Sequence, residues 1–479
     1  MQKKFLSSLF LVIALNLLIK PLAIFGIDAT VQNRVGTATY GLYFSLLNLS
    51  FLFNILLDLG INNFTTRHIA QHPTLVSHYW GKVIGLRFLL FVLYALITLT
   101  TGWIAGYTGT SFYLLGILVF NQLLVTFISY FRSHFGGLHL FRTDAFISIL
   151  DKALLILICG TLLFTNVSKG KFEIEWFIWI QTICYVTTLF TALVILIIRF
   201  GLPVLNFNRN FSIIIIRKSL PYALLILLMM VYTRTDSIML ERIHMNGAYE
   251  AGVYAQGFRL LDALFMFGMI FSTLLLPIFS RMIKYQAEGL YDLIRTSRNL
   301  LLGGAILIGF ICHSHAAWIL DLIYKQHDPE SVNTFRMLMW VFVAMSVSLI
   351  YSTLLTAKGN MRTLNKIALV GVVINIGLNF YLIPEHGAGG AAMATLATQI
   401  FSSLVQLVIA HRHFQFGSDL QSFFAASLLT LSLLVLGYLS EGLNLLLLQL
   451  VVGTGLLFAL RLIHLKQLAH VFREGKTIT

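Results

Sequence analysis

Runs of about twenty apolar residues, separated by short polar breaks, recur along the whole of this chain. A helix rising 1.5 Å per residue needs about that many apolar positions to cross a bilayer. About fourteen such spans are predicted, over residues 6–26, 41–62, 83–105, 112–131, 145–165, 176–198, 220–240, 255–279, 299–320, 334–357, 367–384, 388–411, 421–440 and 442–463. Connections of roughly 5 to 20 residues leave no room for a soluble domain. The pattern predicts an all-α integral membrane protein whose chemistry lies inside the helix bundle or at its faces.

Composition agrees, since 58% of the 479 residues are hydrophobic and only 11% charged, with a mean hydropathy of +0.85. The formal charge of +14 would suit a nucleic-acid partner, but its placement argues against one. With a cytoplasmic N-terminus and alternating spans, 23 lysines and arginines fall on the inner side, Lys3, Lys4, Arg67, Arg87 and Arg132 among them. Only five, Arg34, Lys169, Lys171, Arg242 and Lys325, fall outside. That is the positive-inside bias, and it predicts a cell inner (plasma) membrane protein with both termini cytoplasmic. Lys20-Pro21 stands where a signal peptide would carry a small-residue cleavage site, so the first helix is expected to stay, kinked at Pro21. Cys159, Cys184 and Cys312 lie in apolar spans as packing residues.

An internal echo suggests how the spans are grouped. VGTATYGLY at 35–43 precedes the second span and NGAYEAGVY at 246–254 precedes the eighth, six helices later and in the same orientation. Two pseudo-symmetric six-helix lobes about a shared cavity are predicted: residues 1–218 with the first six spans and a connecting loop, and 219–412 with the next six. Residues 413–479 would add two helices and a cytoplasmic tail. Gly387, Ala391 and Thr395 share one helical face, as close packing in lipid requires.

Charges within spans are the default candidates for function, because a cation there costs roughly 2.5–3.5 kcal/mol on insertion scales and must face a partner or a wet cavity. Arg234 is the foremost, in PYALLILLMMVYTRTDSIML at 221–240. Asp236 follows two residues on, and at about 100° per residue the two point about 200° apart, so they meet different surroundings. In the eighth span Arg259 and Asp262 are i,i+3, with Gln256 alongside. Arg234 matches Asp262 in depth, and Asp236 matches Arg259, which leaves two readings open: ion pairs stitching a hairpin, or arginines that meet an anionic head group. Asn16 and Lys20 share a face at i,i+4, and Asn54, Asp58 and Asn62 form a stripe at the same spacing. A cap, or a pair with Arg67, stays open for Asp58. Lys20, Arg234 and Arg259 all fall in the outer half of their predicted spans. His68 with His72, and His411 with His413, lack the HExxH pattern or acidic partners of a metal site, and no metal or cofactor is expected.

Residues 36–70, GTATYGLYFSLLNLSFLFNILLDLGINNFTTRHIA, resemble the first-lobe signature of the bacterial polysaccharide-repeat flippases (Wzx-type), whose superfamily includes multidrug and toxic-compound exporters and lipid II flippases. Leu220-Pro221, Thr233-Arg234-Thr235-Asp236, Ala251-Gly252-Val253-Tyr254, Leu276-Pro277 and the stretch Asn375–Pro384 followed by Gly387–Ala392 are similar to the same family. The resemblance covers roughly residues 5 to 415. It implies translocation of an undecaprenyl-pyrophosphate-linked oligosaccharide to the outer leaflet by alternating access, for O-antigen or exopolysaccharide synthesis. Membrane lipids and polysaccharide polymerase machinery are the implied partners.

Lys20, Arg234 and Arg259 would then suit the pyrophosphate, with Asn16, Asn54 and Gln256 beside them. Asp58, Asp236 and Asp262 are the carboxylates that could couple transport to an ion or proton gradient. Absence of GxxxxGK[ST] argues against a built-in ATPase. Lipid II flippase and drug or metabolite exporter stay as alternatives within the superfamily, the latter disfavoured by a cation-rich site. A polymerase or ligase is disfavoured by the short outer loops.

Overall fold

A computed structural model describes residues 16–460 apart from 17, 63–64, 67–68, 70–75, 139, 166–171, 203–208, 287–288, 416–418 and 440–441, together with Leu462. Lys3, Lys4, Arg67, His68, His72, Lys169, Lys171 and the tail beyond residue 462 lie outside the described residues. No strand occurs among those described. The chain is all-α, with ten helices or helix segments long and apolar enough to cross a membrane and two shorter apolar helices, Gln421–Gly437 and Asn444–Ala459.

The first helix, α1, occupies 18–35, with a π-helical stretch Ala23–Asp28 and a final segment Ala29–Val35. It is followed by α2 (Thr37–Leu52), the short α3 (Ile55–Asp58), α4 (Val76–Ile104), α5 (Gly109–Gly137), α6 (Phe141–Phe164), α7 (Ile174–Phe200) and α8 (Arg209–Ile243). Then come α9 (Gly247–Lys284), α10 (Leu290–Ser314), α11 (Ala316–Ile323), α12 (Pro329–Lys358), α13 (Met361–Phe414), α14 (Leu420–Leu439) and α15 (Gly442–Ala459). Ends follow local chemistry. At α12 the Asp328 carboxylate accepts from the Ser331 N–H at 2.8 Å, Pro329 sits where its missing N–H costs nothing, and Gly359 stops the helix at φ 84°.

Two predicted elements are redrawn, and one break is kept. Span one was expected to end at 26, yet α1 reaches Val35. Beyond Pro21 the backbone loosens into π-turns rather than breaking, and polar Gln32, which reads as loop, is buried and donates to the Gly252 carbonyl at 3.0 Å. Counted from Val35, Lys20 lies about 22 Å along the helix. The predicted Asn54–Asp58–Asn62 stripe is divided, because the helix breaks at Phe53 and again at Leu59 (φ 44°) and Gly60 (φ 78°). The spans predicted at 367–384 and 388–411 both lie within α13, which is two helices divided by a kink where Gly387 takes the non-helical φ 49° and ψ −131°.

The chain forms two compact units, Met1–Gly252 and Val253–Thr479. In unit 1, α8 packs along α2: the Ser45 hydroxyl donates to the Ser237 carbonyl at 2.8 Å, and Asn48 Nδ2 to Ser237 Oγ at 2.9 Å. In unit 1 a core built from Leu86, Leu90, Phe127, Phe131, Phe135, Ile147 and Leu196 joins α4 to α7. In unit 2, Phe279, Ile294, Ile350 and Leu354 join α9, α10 and α12, while Leu429, Leu433 and Leu457 seat α14 and α15 on Ile306, Leu307 and Phe310 of α10.

The two glycines of the internal echo meet each other inside unit 1. A Cβ on Gly41 would lie 1.9 Å from the Ala248 carbonyl oxygen and 2.4 Å from the Gly252 nitrogen, and one on Gly252 would lie 2.1 Å from the Thr37 carbonyl oxygen. Backbone against backbone leaves nothing flexible to move aside. Gly252→Ala or Gly41→Ala should therefore cost about 1–3 kcal/mol, seen as a lower thermal midpoint of the purified protein. Gly116→Ala, which meets nothing within 4 Å, should leave the midpoint unchanged or raise it. Equal behaviour of the three variants would contradict the close crossing.

Candidate functional site

Five helices of unit 1 enclose a cavity of about 260 Å³. Residues 118, 121, 122, 125, 128, 129 and 132 of α5 line it at three- and four-residue spacing, so one face of that helix forms a wall. Ile147, Ser148, Asp151 and Lys152 of α6 form another, and Lys20 of α1, Leu47 and Phe51 of α2, and Gln181 and Tyr185 of α7 complete it. Packing holds these helices; the polar groups are what they present.

Three cations reach the cavity, and two are already answered. Arg132 grips Asp144 with two donors, Nε to Oδ1 at 2.7 Å and Nη2 to Oδ2 at 3.3 Å. Lys152 Nζ lies 3.4 Å from Asp151 Oδ2 and donates to the Tyr185 hydroxyl at 3.3 Å. Lys20 has no hydrogen-bond or ion-pair partner among the described residues. The Asp28 carboxylate acts on Lys152 as well, so three carboxylates, Asp28, Asp144 and Asp151, stand near the three cations. One amide is also unanswered: Asn121, 3% exposed, accepts from the Thr182 hydroxyl at 2.8 Å through Oδ1 while its Nδ2 has no partner. An unfilled buried donor costs about 1–3 kcal/mol.

Several predicted residues stand one step behind this wall. Asn16 Nδ2 donates to the Ser148 hydroxyl at 3.0 Å, and Asn54 Nδ2 to Gln122 Oε1 at 2.8 Å. Asp58 belongs to a different cluster, centred on Arg87. That side chain is 1% exposed; Nη2 donates to Asp58 Oδ1 at 2.9 Å and Asn62 Oδ1 at 2.6 Å, Nη1 approaches the Leu57 and Thr126 carbonyls at 3.4 Å, and the guanidinium lies 4.5 Å from the Tyr130 ring centroid. The sequence counted Arg87 among the residues facing the inner side, whereas it is enclosed in the helix bundle.

On α8, Arg234 and Asp236 do face different surroundings. Asp236 is fully buried, while half-buried Arg234 donates to Asn48 Oδ1 at 3.2 Å and lies 5.6 Å from the centroid of Phe51, a cavity-lining ring. In unit 2, Gln256 is buried and its Nε2 donates to the Gln326 carbonyl at 3.0 Å, tying α9 to the segment before α12. Arg259 and Asp262 are half-buried on the same helix. Sequence reasoning missed Arg132, Asp151, Lys152 and Asn121 as cavity groups. Asp151 and Lys152 sit inside the predicted span 145–165 and carry the same signal that singled out Arg234, whereas Asn121 is recognisable only from its spacing to Arg132 along one helix face.

The polysaccharide biosynthesis protein family matches residues 6–283, more than half of the chain, and the MatE family matches residues 221–381. No curated protein sequence matches the chain. Among solved structures, the lipid II flippase MurJ in an inward closed conformation is similar with a TM-score of 0.70 at 14% identity, covering 94% of this chain and 98% of that one. An inward-facing multidrug resistance MATE family transporter of the MOP superfamily gives 0.63 at 14%, covering 83% and 94%. A MOP superfamily transporter from Pyrococcus furiosus, described as having a binding pocket of reverse polarity, gives 0.58 at 11%, covering 85% and 94%. At these identities the likeness is one of fold.

Breaking a buried ion pair by removing one partner typically costs about 3–5 kcal/mol. Arg87→Ala should fall in that range, because Asp58 and Asn62 lose the group that satisfies them, and Asp58→Asn should cost less, since Asn62 and two carbonyls still hold the guanidinium. Denaturation of both single variants and the double variant measures the coupling; a value indistinguishable from zero would remove Arg87 from its central role.

Proposed function

The chain belongs to the polysaccharide biosynthesis protein family, and on that premise we propose that it is a flippase for a lipid-linked oligosaccharide. The cargo is an undecaprenyl-pyrophosphate-linked repeat unit, carried from the cytoplasmic to the outer leaflet of the inner membrane for surface polysaccharide synthesis. The observation that carries this reading is the cavity of unit 1, a polar chamber lined by three cations among helices most of which are apolar enough to cross a membrane.

The physical problem of such a cargo is its head group. Hydroxyls, amides and phosphates leaving water for hydrocarbon lose several kcal/mol each without replacement hydrogen bonds. A chamber walled by Lys20, Arg132, Lys152, Asn121, Gln122 and Gln181 supplies those bonds while the lipid tail stays in the bilayer. Alternating exposure of that chamber to the two sides would complete transport, with no covalent chemistry required of the protein. Arg234 and Arg259 are proposed for the pyrophosphate and Asp236 and Asp262 for ion coupling; Asp58 is left out of the coupling set because its carboxylate is committed to Arg87. Cytoplasmic termini are part of the proposal, supported by the distribution of lysines and arginines along the chain. Polysaccharide polymerase machinery is the proposed recipient of the cargo.

The test is transbilayer movement of a fluorescent pyrophosphate-linked glycan in proteoliposomes. Protein-dependent movement is expected, and Arg234→Met should slow it about tenfold, as follows when a charge-assisted hydrogen bond of about 1.5–3 kcal/mol is lost from the transport step. Movement of lipid II alone would assign the protein to the alternative cargo, and movement of neither would refute the flippase reading.

A further inference from the structure

The two C-terminal helices of unit 2 are fastened to α10 at both of its ends and in the middle. At the start of α10 the Asp419 carboxylate serves two purposes. Its Oδ1 accepts from the Ser422 N–H at 3.2 Å and so caps α14, while its Oδ2 takes Arg295 Nε at 3.1 Å and Arg298 Nη2. Beside it, Asn299 Nδ2 donates to the Ser422 hydroxyl at 2.9 Å, and Arg295 Nη2 to Gln421 Oε1 at 2.9 Å. At the far end, fully buried Gln449 of α15 donates through Nε2 to the Ser314 hydroxyl at 2.9 Å. From Arg295 to Ser314 the helix advances about 28 Å.

Between those ties the packing is reciprocal. A Cβ on Gly303 of α10 would lie 2.7 Å from Leu457 Cδ2 of α15, and one on Gly453 of α15 would lie 2.3 Å from Leu307 Cδ1 of α10. Each helix thus receives a leucine of the other where it has no side chain of its own. Lipid tails are as apolar as leucine, so helices in a bilayer are held together by close packing at small residues and by polar bonds rather than by burial from water. This one interface carries both. Resting on the proposed flippase function, we infer that α10, α14 and α15 move as one body throughout transport. The C-terminal pair is then a fixed buttress rather than a gate, and no lipid tail of the cargo passes between it and α10.

The test is a reversible lock, built into full-length protein whose Cys159, Cys184 and Cys312 are replaced by alanine. A Cβ on Gly303 would lie 3.7 Å from the Leu462 Cβ, a separation that a disulfide bridges, so Gly303→Cys with Leu462→Cys joins α10 to the chain just after α15. In proteoliposomes, oxidised and reduced protein should move a fluorescent lipid-linked glycan at rates within about twofold of each other, whereas a loss of about tenfold on oxidation, restored by dithiothreitol, would overturn the inference. A second measurement leaves the interface intact. Spin labels at the exposed positions Ile308 and Val451, attached through Ile308→Cys and Val451→Cys, should give one narrow distance that the lipid-linked glycan leaves unchanged and that Asp419→Ala broadens. Two distances, a shift on adding the glycan, or indifference to Asp419→Ala would count against it. The two proposals fail separately. Movement that oxidation stops keeps the flippase and removes the single body, whereas absence of movement in every form, with one unchanged label distance, does the reverse.

Discussion

A guanidinium enclosed in a helix bundle depends on the protein for its hydrogen bonds, and at Arg87 in unit 1 both Nη atoms find partners while Nε does not. The side chain comes from α4 and draws in Asp58 and Asn62 from the broken end of the second span, two backbone carbonyls, and the ring of Tyr130 on α5. Leaving such a charge without partners would cost more than most single contacts contribute. The breaks at Phe53 and Leu59 flank the short α3, which supplies the Leu57 carbonyl and Asp58 to this cluster. Once α3, α4 and α5 are tied there, the face of α5 that carries Asn121, Gln122 and Arg132 is set toward the cavity.

Against that background of satisfied groups, the exceptions acquire meaning. Arg132 and Lys152 have carboxylates, and Asn16 and Asn54 hold the polar groups of the wall. Lys20 and one arm of Asn121 are left over. The close crossing of Gly41 and Gly252 shows the same economy in the backbone, where absence of a side chain is the functional property of both residues.

Much of the fold was legible in the sequence because lipid imposes a simple rule. Twenty apolar residues in a row have few alternatives to a spanning helix, and most of the predicted spans coincide with α2, α4 to α10 and α12 to α15. The short echo of Gly41-Leu-Tyr and Gly252-Val-Tyr was visible as well, although its reason, mutual backbone contact, was not. Boundaries failed where polar residues are buried and paired. Gln32 reads as loop until its bond to the Gly252 carbonyl is seen, and that misreading ended the first helix at 26 rather than at Val35.

Sequence alone determined that this chain is a helical membrane protein, which residues carry charge inside its spans, and that Arg234 and Asp236 face different surroundings. These follow from periodicity and hydropathy, which are local. Tertiary structure decided which charges are already answered, because an ion pair depends on residues far apart in the chain: Asp58 meets Arg87 rather than a neighbour in sequence, Arg132 leaves the count of exposed loop cations to line a cavity, and Lys20 shares that cavity with Lys152 and Asn121. Compensation of charge is a property of three-dimensional neighbours, and a linear pattern carries only half of it.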